Sequence, residues 1–183
     1  MIVNDTGKAR RTSIALAVIL GILQLSIVPN VGILGGRANL ALVLVAAVCL
    51  GGETSKAPLV GFFSGLFYDL AGSGPIGLMA LLLTLTGFAL AAAGRSRVAD
   101  DPTASIVLFV PVALVVEVVY AIVLLVFGQA QSFVEVVFMR ALPGAVLDCL
   151  ALGITSVVLA RVGCGSGGFG GKHSGGGLSL KGL

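Results

Sequence analysis

Between Ser13 and Ala160 six apolar runs alternate with short polar or glycine-rich breaks, and this alternation leaves the chain few ways to fold. The runs lie at about 13–29, 37–52, 57–71, 75–93, 104–128 and 141–161, and none shows the every-second-residue alternation of a barrel strand. In hydrocarbon each backbone N–H and C=O must find its partner inside the protein, and for such runs that means α-helix. Water is not an alternative solvent. Only 10% of the residues are charged and the mean hydropathy is +1.13, whereas an ordinary soluble domain carries roughly 25% charged residues. The sequence therefore predicts an all-α polytopic membrane protein with six transmembrane helices in one bundle.

The flanks complete this outline. Residues 1–12 read as a polar, basic cytoplasmic leader, 13–162 as the membrane domain, and 163–183 as a flexible glycine-rich tail. Lys8, Arg10 and Arg11 precede an apolar run without a small-x-small exit site, so that run is expected to remain as the first span. Residues 129–140 read as an interfacial segment before the sixth run, which carries Pro143 in its first turn, where proline is tolerated. With six spans, Lys8, Arg10, Arg11, Lys56, Arg95, Arg97, Arg161, Lys172 and Lys181 share one side, and only Arg37 and Arg140 fall on the other. Basic residues stay cytoplasmic, so both termini are expected there. The second and third runs each have a strongly apolar centre of only 13–14 residues. That spans roughly 20 Å against a hydrocarbon core of ~30 Å, so both are expected to pack inside the bundle.

Polar groups inside these runs are the candidate functional residues, because a carboxylate in a bilayer faces protein or water rather than lipid. They are Gln24, Asp69, Glu117 and Asp148. Asp69 belongs to the stretch Gly61-Phe62-Phe63-Ser64-Gly65-Leu66-Phe67-Tyr68-Asp69, in which Gly61, Gly65 and Asp69 recur every fourth residue. On a helix they share one face, and the glycines allow another backbone to come close. Gly61, Phe62, Gly65, Leu66, Asp69, Gly72, Pro75 and Gly77 are accordingly the candidate packing or partner-binding set. Asp69 either anchors that contact or caps the tight turn that follows, accepting from the amides of residues 72–74. Glu117 can accept from Tyr120 one turn away. Asp148 can cap nearby backbone, and Arg37 and Arg140 are candidate outer-side counter-charges for the two aspartates.

Several chemistries are absent. The chain has no GxSxG, no HExxH and no Cys/His metal cluster, and Gly51-Gly52-Glu53-Thr54-Ser55-Lys56 lacks the spacing of a phosphate loop. Cys49, Cys149 and Cys164 are scattered, and the single His173 lies in the glycine-rich tail. No catalytic residue, metal or cofactor is expected. The net charge of +3 is spread along the chain and does not form a nucleic-acid patch.

The segment GFFSGLFYDLAGSGPIGLMA at residues 61–80 resembles the signature of MreD, the rod shape-determining membrane protein family of bacteria, at Gly61, Phe62, Gly65, Leu66, Asp69, Leu70, Pro75, Gly77 and Ala80. Leu23-Gln24 resembles a further family feature. Arg37-Ala38-Asn39-Leu40 resembles the family's Pro-Asp-Leu, with Ala38 in place of the proline and Asn39 in place of the aspartate. The resemblance implies a non-enzymatic scaffold of the cell-elongation machinery that binds an MreC-like single-span protein. It also implies links to a class B penicillin-binding transpeptidase, a RodA-type glycosyltransferase and MreB filaments, in contact with membrane lipid. It further implies similarity to the six-helix substrate-binding components of energy-coupling-factor vitamin transporters, which supplies the alternative function. Such a binder should carry an aromatic-rich outer cavity, and this chain has no Trp and two Tyr.

Overall fold

The computed structural model describes residues 3–30, 32–33, 35–51, 53–72, 74–93, 102–128 and 132–162. Helix α1 (Val3–Ser26) leads through a 3-10 turn at Val28–Asn30 into a two-residue antiparallel ribbon, β1 (Gly32–Ile33) and β2 (Gly36–Arg37). Helices α2 (Leu40–Leu50), α3 (Ala57–Ala71), α4 (Leu78–Ala93) and α5 (Pro102–Val126) follow. A short α6 (Phe133–Glu135) continues through a π-helical stretch at Val136–Ala141 into α7 (Leu142–Val162). The expectations for the loop at 94–101 and the tail at 163–183 fall outside the described residues.

Helix α2 is apolar on every side, the mark of a helix surrounded by protein. Every residue from Leu40 to Val48 is buried, and α1, α3, α4, α5 and α7 all touch it. Its 11 residues extend only about 16 Å, half the thickness of a ~30 Å hydrocarbon core. Its N-terminal end therefore lies where neighbouring elements must satisfy it, while its C-terminal end closes on itself, the Gly51 amide donating to the Ala47 carbonyl at 2.9 Å.

Helix α3 is built on another pattern. The expectation that it too is enclosed is corrected: its buried residues are Ala57, Gly61, Gly65 and Asp69 alone. The stripe of small residues buries one narrow face. Leu59, Phe62, Phe63, Phe67 and Leu70 are exposed on the rest. The large side chains stand outward because the inward face admits none.

That inward face meets α4 backbone to backbone. A Cβ at Gly65 would stand 2.5 Å from Ala80 Cα and 2.6 Å from the Met79 carbonyl oxygen, and one at Gly61 would run into the Leu83 carbonyl. Gly87 of α4 reciprocates, with the Ala57 carbonyl 2.5 Å from where its Cβ would be. The seam between α3 and α4 is thus an intramolecular small-residue contact. Phe62 and Leu66, expected within it, are exposed and half-buried respectively. Four-residue periodicity places both off the glycine face.

Helices α5 and α7 close the bundle. The segments Val107–Val126 and Val136–Leu159 are long and apolar enough to cross a bilayer, while Arg11–Ser26, Leu40–Leu50 and Leu78–Ala93 are shorter apolar helices. Exposed Ile, Leu, Val and Phe run along α1, α3, α4, α5 and α7, far more apolar surface than a monomer in water presents. Isolated hydroxyls on these helices turn back to their own backbone. Thr84 Oγ1 donates to the Ala80 carbonyl at 2.6 Å and Thr155 Oγ1 to the Ala151 carbonyl at 2.8 Å, which removes them from contention as ligands.

Helices α2 and α4 start three residues later than expected, at Leu40 and Leu78, and two other boundaries differ for physical reasons. Helix α1 starts at Val3, within the expected leader. Once nucleated by the apolar run, a helix extends at little cost through residues such as Lys8, Ala9, Arg10 and Arg11. The segment before Pro143 is helical as well, and its π-helical stretch lies just where a proline ring removes an amide and crowds the preceding turn. The carbonyls of Met139 and Arg140 face Gly35 and Gly36, at 3.3 and 2.8 Å from where their Cβ atoms would be. The ribbon is thereby pressed against the entry to α7.

Candidate functional site

Two helices begin inside the bundle, and each start exposes amides that have no partner within the helix. At α4 the solution is Asp69. Its Oδ2 accepts from the Gly77 amide at 2.9 Å and the Ala80 amide at 3.2 Å, and its Oδ1 from the Met79 amide at 3.2 Å. The carboxylate is 2% exposed. Gly77 has φ +97°, a left-handed conformation that glycine adopts without strain, and its amide donates to the carboxylate. Negative charge at a helix N-terminus also meets the positive end of the helix dipole. Asp69 therefore caps α4, and the amides it accepts from lie at residues 77–80 instead of at 72–74. Gly72 is the C-cap of α3, its amide donating to the Tyr68 carbonyl at 3.0 Å.

At α2 three side chains divide the work. Asn39 is the N-cap, with Oδ1 accepting from the Leu42 amide at 3.2 Å. Gln24 Oε1, from α1, accepts from the Leu40 amide at 2.8 Å. Asp148 Oδ1, from α7, accepts from the Asn39 amide. Asn39 and Asp148 are both fully buried. The Asn39 side chain also donates from Nδ2 to Met79 Sδ at 3.4 Å, and the Met79 amide in turn donates to Asp69.

Glu117 joins the same layer from α5. It is 6% exposed, faces the Asn39 side chain and packs its Oε2 3.2 Å from where a Gly144 Cβ would stand. The Arg37 carbonyl lies 3.4 Å from that same point. Tyr68 of α3 and Tyr120 of α5 stack edge to face beside the layer, with ring centroids 6.1 Å apart. A connected polar belt thus runs through all the long helices: Gln24 on α1, Asn39 at the head of α2, Asp69 on α3, Met79 on α4, Glu117 on α5 and Asp148 on α7.

The sequence named four of these groups, and the structure brings Gln24, Asp69, Glu117 and Asp148 into this one layer. It does not pair the aspartates with arginine. Among the described residues the ion pair is Lys56–Glu53 at 2.7 Å, and Arg37 and Arg140 are exposed. Backbone amides at helix starts occupy the carboxylates instead. Nor does Glu117 take Tyr120 as its hydrogen-bond partner; it turns toward Asn39 and Gly144. Asn39 is the hub that sequence reasoning missed. Its signal was present, since an Asn directly before an apolar run is a preferred N-cap. Pro75 is half-buried in the turn, where its carbonyl accepts from the Leu78 amide at 3.4 Å.

Gln24, Asn39, Asp69 and Asp148 in this arrangement hold helix starts. Among the described residues no group of three His, Cys, Asp or Glu could hold a metal ion. Asp69 has both oxygens engaged, and Asp148 has one, Oδ2, buried without a donor.

Comparison with known proteins gives one match. No curated protein matches the chain, and no solved structure does, so the likeness to vitamin-transporter components finds no support there. The family model described as rod shape-determining protein MreD matches residues 8–160, which run from within α1 to within α7 and include every member of the polar belt. The chain belongs to the MreD family of rod shape-determining membrane proteins.

Proposed function

We propose that the chain is a six-span, non-enzymatic scaffold of the bacterial plasma membrane, with both termini cytoplasmic, that serves cell elongation by binding an MreC-like single-span partner. Through that partner it helps to position a class B penicillin-binding transpeptidase and a RodA-type glycosyltransferase, with MreB filaments on the cytoplasmic side. The observation that carries this reading is the family match across residues 8–160. The way the chain spends its intramembrane polar groups supports it: Gln24, Asn39, Asp69 and Asp148 secure helix starts, as a scaffold of fixed shape requires. The glycine face of α3 is occupied by α4, so a partner helix docks on another surface of the bundle.

Depletion of the protein from a rod-shaped host tests the reading. Cells should round up, re-expression should restore rods, and a tagged chain should retain the MreC-like partner through mild detergent extraction. Normal rods after depletion, or a tagged chain recovered without the partner, would contradict it.

A further inference from the structure

The belt contains one pairing that helix capping does not explain. Asp148 and Glu117 come from different helices, and both converge on Asn39, the first through its backbone amide and the second through its side chain. Asp148 is fully buried and Glu117 is 6% exposed. Asp148 Oδ2 is buried with no hydrogen-bond donor. No Lys or Arg pairs with either carboxylate among the described residues. The compensation in reach is partial: one amide, the Asn39 side chain, the positive end of α2, worth about half a charge, and the charge of Arg140, which acts on Glu117 from beyond ion-pair distance. Two buried carboxylates compensated only in part are costly to keep charged together. Asp69, with three amides on its two oxygens, has no such deficit.

We infer that Asp148 and Glu117 together bind one compensating monovalent cation, either a proton shared between the carboxyl groups or a sodium-sized ion held by their oxygens. Asp148 Oδ2 is the atom left to receive it, and the Arg37 carbonyl beside Glu117 offers a further oxygen to a metal cation. The other titratable or charged groups acting on the pair are Tyr68 on α3, Tyr120 on α5, Cys149 next to Asp148, and Arg140 at the entry to α7. Occupancy ties α5 and α7 to the head of α2, so the cation becomes a condition for the closed bundle.

The test uses the full chain in detergent or nanodiscs, with unfolding followed against pH and against sodium at constant ionic strength, choline replacing sodium. A proton site makes the wild type lose up to about tenfold in its folding constant per pH unit as pH rises, independently of sodium. A sodium site makes it gain up to about tenfold per decade of sodium once the site is filling. Asp148→Asn and Glu117→Gln each keep the shape of the side chain and remove one carboxylate. Either variant that folds should lose the dependence seen in the wild type. A wild type indifferent to both pH and sodium would overturn the inference, as would a dependence that survives unchanged in both variants.

Discussion

At the head of α4 one carboxylate serves three amides, whereas at the head of α2 three side chains from three segments serve one amide each, and a carboxylate oxygen is left over. The two sites face the same electrostatic problem, a helix start buried among other helices. They differ in how far the chain reaches for the answer. Asp69 lies eight to eleven residues from its donors, so α3, the turn and α4 form a local hairpin that can close with no help from the rest. Asn39 depends on Asp148, 109 residues away, and Leu40 on Gln24, 16 residues away. The head of α2 is complete only when α1 and α7 are in place. The local site is saturated; the assembled site keeps one buried carboxylate oxygen without a donor. If the protein responds to anything inside the membrane, the contrast places that response at α2, α5 and α7.

The largest effect is expected where the local hairpin has no room to adjust. Gly65→Leu places side-chain atoms where Ala80 and the Met79 carbonyl already stand, so α3 and α4 must separate. Little folded protein should survive detergent extraction, a loss of roughly 3 kcal/mol or more. Near-normal thermal unfolding of this variant would mean that the seam is loose and that the contrast with α2 is false.

Asp69→Ala comes next. It strands three amides at the head of α4, for an expected loss of about 3 kcal/mol in denaturant unfolding. Asn39→Ala removes the N-cap acceptor and the Met79 contact, and should cost about 2 kcal/mol. It should also loosen α5 more than α4, because Glu117 loses the side chain it faces while Asp69 keeps its own amides. Equal loosening of both helices, read by amide exchange, would merge the two sites into one cooperative unit. Lys56→Ala is the control outside both sites. Its pairing with Glu53 is short, but the lysine is half exposed, so less than about 0.5 kcal/mol should be lost.

The helices themselves were legible in the sequence because hydrocarbon leaves the backbone no other option, and the breaks between runs fall at Gly, Pro and charged residues. The α3–α4 seam was half legible: the spacing of Gly61, Gly65 and Asp69 gives the face but not which helix covers it. The belt was not, for a physical reason. Contacts such as Asn39 to Asp148 join residues that only tertiary packing brings together, and no periodicity in one chain encodes them. Pairing Arg37 and Arg140 with the aspartates followed opposite charge alone. It overlooked that a helix N-terminus inside a membrane competes for the same carboxylate, and does so without bringing a second full charge out of water.

The most direct test is backbone amide exchange at Gly77, Met79 and Ala80, measured in the wild type and in Asp69→Ala under conditions where both are folded. These three amides should be protected in the wild type and exchange at least tenfold faster in the variant, with those of Asn39, Leu40 and Leu42 unchanged. Equal protection at residues 77–80 in both proteins would show that Asp69 does not hold the start of α4. Simultaneous loss at residues 39–42 would show that the two helix starts are not independent.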